Sequence, residues 1–259
     1  MMSDKERISI ITVVFNGVDS IESTILNVIN QNYGNIEYIV IDGGSKDGTQ
    51  EIIRKYEGKI SNWKSEPDNG IYDAMNKGIL LATGDYIIFM NCGDQFYNIN
   101  TIKNIFSNDI KEDLIYGDTV LDNYGETRLS KAKEFKEIKY GMPFCHQSVF
   151  VKLSIMKERS FDLKYKLASD YDFFMFLFHK GIYSYKKTNE YISIYENCGA
   201  SMSLKTIEEK FTISKHYYPF SEISAFHYFQ LKYYTITSFL KANFPDAIVD
   251  RLIKIKRKL

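Results

Sequence analysis

A chain of 259 residues that is 44% hydrophobic carries enough apolar material to bury a full core, which excludes a disordered or fibrous protein. Lys plus Arg equals Asp plus Glu at 33 each, so no net field favours a polyanion; no nucleic-acid partner is expected, and any phosphate recognition must be local. Three widely spaced cysteines, Cys92, Cys145 and Cys198, fit free thiols in a reducing compartment, and with no apolar leader or membrane-length apolar run the expected location is cytoplasmic. Residues 8–15 read as a first strand. Asp19 with Glu22 three residues on makes a capping box for a helix running to about Asn30, stopped by Gly34. Residues 36–41 form a second strand, a glycine-rich loop follows, and 49–56 return as a helix. A short strand over 60–64 and a helix over 70–81 lead to residues 86–90, a continuous apolar run of the kind found inside a parallel sheet, broken by Asn91-Cys92-Gly93-Asp94. This alternation predicts an α/β fold. Further on, 113–116, 147–151 and 192–195 read as strands, and 170–179 as a helix apolar almost all round, hence buried. From Thr206 the pattern is helical with breaks at Pro219 and Pro245, which divides the chain into a sheet domain over 1–204 and a helical extension over 205–259.

In open α/β sheets ligands sit outside the carboxyl ends of the strands. At the first such end Val14 offers backbone groups and an apolar edge to a flat base, and Asn16 can fix the exit geometry. Asp42 closes the second strand, where its carboxylate can accept from an imide N–H; with Ser45 it can equally hold the turn or cap the next helix. Asp73, Asn76 and Lys77 share one helix face, suited either to a polar ligand or to a surface ion pair. Asp94, a hard oxygen donor at a strand end, is the best available ligand for a divalent cation. Asp170 and Asp172 open the buried helix, either as reactive carboxylates or as its cap.

The string Asp42-Gly43-Gly44-Ser45-Lys46-Asp47-Gly48-Thr49, the run from Glu66-Pro67-Asp68 to Ala74-Met75-Asn76-Lys77-Gly78, and Asn91-Cys92-Gly93-Asp94 together resemble the nucleotide-sugar-dependent glycosyltransferases of family 2, over about residues 7–200. The resemblance implies the GT-A fold: a Rossmann-like, mostly parallel central sheet flanked by helices, here with a C-terminal helical extension. It implies a nucleotide diphosphate sugar donor, UDP-linked, bound by Val14, Asn16, Asp42, Ser45, Asp68, Asn76 and Asn91, and a divalent metal, Mn2+ or Mg2+, on Asp94. It further implies inverting transfer, with Asp170 of Ala168-Ser169-Asp170-Tyr171-Asp172 as base, and His146 and Gln147 beside the acceptor. That acceptor would be a glycan or lipid-linked hydroxyl in bacterial surface polysaccharide assembly. Positions 91 and 93 lack the acids that many relatives carry, and Ser169 replaces their glutamate. The processive Q-x-x-R-W signature is missing, which favours transfer of a single sugar. Two other readings compete: a sugar nucleotidyltransferase, which needs a basic glycine-rich N-terminal loop that residues 13–16 do not supply, and a catalytically degenerate nucleotide-sugar-binding module. At the C-terminus Ile248, Leu252, Ile255 and Leu259 fall on one helical face beside Lys254, Lys256, Arg257 and Lys258. This pattern fits peripheral rest on an anionic membrane, a solvated helix or packing in a homodimer.

Overall fold

The computed structural model describes residues 6–107, 109–123, 125–196 and 203–243. It divides into two compact units, residues 1–199 and 200–259. Every residue of β1 (Ile8–Val14) is buried, so its β-branched run packs on both faces, as an internal parallel strand must. β2 (Ile36–Asp42) lies parallel to it in a register from Ile8 opposite Ile36 to Val14 opposite Asp42. Between them α1 (Ile21–Ile29) buries Ile21, Ile25 and Val28 on one side. The expected Asp19/Glu22 capping box does not form. Ser20 holds the cap position without a side-chain bond, the Gly17 carbonyl accepts from the Ser20 and Ile21 amides, and Glu22 turns away to accept from Lys55 and Tyr56.

The chain continues through α2 (Thr49–Lys55), β3 (Asn62–Ser65), α3 (Ile71–Leu81) and β4 (Tyr86–Phe89). α3 packs on β1 and β2 so closely that a Cβ on Gly78 would meet the Ile11 side chain at 2.6 Å. Next come β5 (Gln95–Phe96), α4 (Thr101–Ile105), β6 (Leu114–Asn123), β7 (Glu126–Ser130), 3-10 turns at Phe135–Tyr140 and His146–Ser148, β8 (Val149–Lys152), α5 (Leu153–Glu158), α6 (Ser169–Lys180) and β9 (Tyr185–Glu196). The sheet runs β3-β2-β1-β4-β8-β6-β9-β5, with β7 paired to β6. Its first four strands are parallel. β8 enters antiparallel to β4 and to β6, while β6 and β9 are parallel. α6 buries Tyr171, Phe173, Phe174, Met175 and Leu177 and ends at Gly181 in the left-handed region.

In the second unit Ser203 caps α7 (Leu204–Tyr217) by accepting from the Thr206 amide. The break expected at Pro219 separates α7 from α8 (Glu222–Asn243). The apolar and basic residues of 248–259 lie outside the described residues. No helix among the described residues is long and apolar enough to cross a membrane.

Candidate active site

Three parallel strands end in register: Val14 opposite Asp42, and Asp42 opposite Ser65. Past β4 the backbone still follows β1, with the Cys92 amide donating to the Val13 carbonyl at 3.1 Å, so residues 91–94 join the same rim. Two loops lock together there. Asn16, at φ +50°, donates its amide to Ser45 Oγ at 2.7 Å and accepts from the Lys46 amide at 3.1 Å. Gly17 and Val18 donate their amides to Thr49 Oγ1 and Asp47 Oδ2. The polar letters of the 42–49 motif therefore hold the exit of β1, a fixed frame that sequence spacing alone did not reveal.

Asp42 is fully buried. Its carboxylate accepts from the Gly44 amide, from the Ser45 amide and hydroxyl, and from Ser65 Oγ. Four donors match the roughly four lone-pair sites of a carboxylate, so Asp42 anchors the loop, where direct contact with a base had been expected. The rim's accessible groups lie beside it. Phe15 is 64% exposed, and a Cβ on Gly43 would strike the Asp68 carboxylate and meet the Phe15 ring at 3.3 Å. In the sequence Phe15 belongs to the strand exit expected to offer an apolar edge to a base, although Val14 and Asn16 are the residues singled out there.

The 66–70 loop is tied to α3. Asp68 accepts from the Gly70 amide, Asp73 from the Asn69 amide and side chain, and Lys77 donates to the Pro67 carbonyl while pairing with Glu66. Asn76, expected at the donor, instead grips the backbone of Phe161, donating to its carbonyl and accepting from its amide, each at 2.9 Å. The shared face of Asp73, Asn76 and Lys77 thus organises the protein's own loops.

Asn91, Asp94 and Gln147 are all at least nine-tenths buried. Gln147 Nε2 donates to Asp94 Oδ2 at 3.0 Å, and Asn91 Nδ2 meets His146 Nε2 at 3.3 Å. Asn91 Oδ1 is buried without a hydrogen-bond partner. His146 Nδ1 stands 3.6 Å from Asp170 Oδ2, and Asp170 Oδ1 accepts from the Tyr72 hydroxyl at 2.7 Å. Burial in a cavity walled by Ile87, Phe89, Val149, Val151, Met156, Phe161 and Phe174 holds the His146 pKa below its ordinary value, against the opposing pull of Asp170. Burial likewise pushes the Cys145 thiol up to about 11. His146 and Gln147, expected beside an acceptor, turn towards Asn91 and Asp94. Asp172 pairs with Arg159 at 2.7 Å, and because α6 already begins at Ser169 it is not the cap. Buried Ser169 donates to the Asp162 carbonyl.

The described residues contain no group of three His, Cys, Asp or Glu that could cage a metal. What they offer is hard oxygen: the Asp94 carboxylate at the rim and the unpartnered Asn91 Oδ1. This set fits Mg2+ or Mn2+, which keep waters and bind through one or two carboxylates plus substrate phosphates.

Residues 9–185 match the model of a family described as "Glycosyl transferase family 2". An uncharacterised glycosyltransferase of Mycobacterium tuberculosis is 44% identical over 96 residues, and the match covers 37% of each chain; the present chain thus spans little more than a third of that relative's length. S. aureus TarS 1-349 in complex with UDP-GlcNAc superposes with a TM-score of 0.66 at 16% identity, covering 85% of this chain and 69% of the other. A mannosyltransferase from Pyrobaculum calidifontis, in complex with GDP-Man and Mn2+, gives a TM-score of 0.68 at 14% identity, covering 99% and 81%. At such identities the two structures establish the fold, GT-A.

Proposed function

Because the chain belongs to glycosyl transferase family 2, we propose that it moves one sugar from a nucleoside diphosphate sugar, UDP-linked, to a hydroxyl of a glycan or lipid-linked acceptor. One observation carries the reading: consecutive side chains reach two different carboxylates, His146 towards Asp170 and Gln147 towards Asp94. The 3-10 turn at His146–Ser148 thereby couples a carboxylate suited to a cation with one suited to a proton.

In this reading Phe15 and Asp68 meet the base, in the frame made by Val14, Asn16, Asp42 and Ser45, and Asn76 acts through α3. Asp94, with Asn91 beside it, would hold a divalent cation. When bound, that cation supplies positive charge to the diphosphate as the glycosidic bond breaks. Asp170 accepts the acceptor's hydroxyl proton while the oxygen attacks the anomeric carbon opposite the nucleotide, which inverts that centre. The presence of TarS with UDP-GlcNAc and of the mannosyltransferase with GDP-Man and Mn2+ among proteins of the same fold supports this donor class and cation.

The test is nucleoside diphosphate release from a panel of UDP- and GDP-sugars with Mn2+. Trp63, the single tryptophan, lies with Ser45 and Ser65 in one cleft and reports donor binding by its fluorescence. Asp170→Asn should bind donor as the wild type does and turn it over about 10² to 10⁴-fold more slowly. Full turnover by that variant would remove Asp170 from the role. Donor binding without turnover of any sugar by the wild type would instead support the non-catalytic binding module.

A further inference from the structure

Asp170 is held from two sides by side chains that come from elements far apart in sequence. Tyr72, in the first turn of α3, donates its hydroxyl to Oδ1 at 2.7 Å. The Tyr72 ring is itself fixed: it is 7% exposed and packs at 5.2 Å on Phe161, the residue whose backbone is gripped on both sides by Asn76 of the same helix. Ring, helix and partner form a closed triangle, so the hydroxyl has little freedom in where it points.

On the other side, Asn91 presents Nδ2 to His146 Nε2 at 3.3 Å, and His146 Nδ1 faces Asp170 Oδ2 at 3.6 Å. With the Asn91 amide donating, Nε2 carries the lone pair and Nδ1 the proton, turned towards Asp170. His146 and Tyr72 thus meet the one carboxylate from opposite sides, with Asn91 behind the histidine. Each carboxylate oxygen keeps a second lone pair for an incoming hydroxyl. Tyr72 also follows directly on the 66–70 loop, whose Asp68 stands at the nucleotide rim beside Gly43.

We propose that Tyr72 and His146 are positioning residues that orient the Asp170 carboxylate for proton acceptance, and that Tyr72 does so from the helix that carries the donor-side loop. The proposal rests on the reading of Asp170 as base. It gives Tyr72 and Asn91 a function in the proton step, separate from donor contact.

Two measurements on the full chain test it. In spectra of 15N-histidine-labelled protein, which has four histidines, the His146 ring, assigned by its disappearance in His146→Gln, should show a protonated Nδ1 and an unprotonated Nε2 at pH 8. An Nε2-protonated ring would overturn the proposal. In kinetics, Tyr72→Phe keeps the packed ring and loses only the hydroxyl. It should lower kcat for nucleoside diphosphate release about tenfold, the scale of one hydrogen bond to a charged group. Donor affinity read at Trp63 should stay within about twofold. An unchanged kcat in Tyr72→Phe, with Asp170→Asn inactive, would sink the positioning role alone. Full turnover by Asp170→Asn would sink the base itself.

Discussion

Gly43 marks where small differences at one residue decide the site. The space over Gly43 is taken by the Asp68 side chain, and the neighbouring Asp42 carboxylate already takes two amides and two hydroxyls. Gly43→Ala should therefore push Asp68 and crowd Phe15 while removing no core volume. The expected result is a loss of uridine diphosphate affinity of about tenfold, as for one displaced polar contact, with a melting temperature near that of the wild type. Trp63 fluorescence titration checks it, and undiminished affinity would place the base away from the Phe15 and Asp68 edge.

At the scale of elements, the strands are tied at both ends. At their amino-terminal ends the buried Glu37 of β2 accepts from Ser9 Oγ of β1, from the Thr83 amide and hydroxyl before β4, and pairs with Arg7 at 3.3 Å. Burial disfavours its charge, yet these donors outweigh burial and hold the pKa below the ordinary glutamate value. A lowered folded-state pKa means stability that is fully present above the unfolded value of about 4.3 and lost as pH falls through the folded one. Glu37→Gln should cost about 1–3 kcal/mol in urea unfolding at pH 7, and the gap from wild type should narrow below about pH 4; a gap constant with pH would show that the charge contributes nothing. Elements buried on both faces, such as β1, β4 and α6, were legible in the sequence because a continuous apolar run has few other homes. β7 was not, since its residues are mostly exposed, and β9 was read only at 192–195 because its first half, Tyr185-Lys186-Lys187-Thr188-Asn189-Glu190, carries the charges of a half-solvated strand. Asp94 and Asp170 could be picked out as strand-end and helix-start carboxylates. The partners that define their chemistry, Gln147 and Tyr72, sit 53 and 98 residues away along the chain, a separation that no local pattern reports.

Across the whole molecule, the proposed donor site lies in the sheet unit, residues 1–199, and Trp63 in β3 follows the unfolding of that unit. A ligand at about a hundred times its Kd adds about 2.7 kcal/mol, which for a unit of this size moves the melting temperature by about 5–10 °C. The candidate cation ligands are one acid, Asp94, with Asn91, and no three-residue cluster completes a cage among the described residues. A cation there needs the oxygens of a diphosphate to fill its coordination sphere. Mn2+ alone at 1 mM should therefore shift the transition little, uridine diphosphate alone modestly, and the two together by more than the sum of their separate effects. Asp94→Asn should abolish that excess and leave the shift due to the nucleotide alone. The opposite pattern is equally clear. A full shift with Mn2+ alone would mean a metal site built wholly from protein groups, and a nucleotide shift indifferent to Mn2+ would mean that the charge on the leaving diphosphate is balanced without a metal.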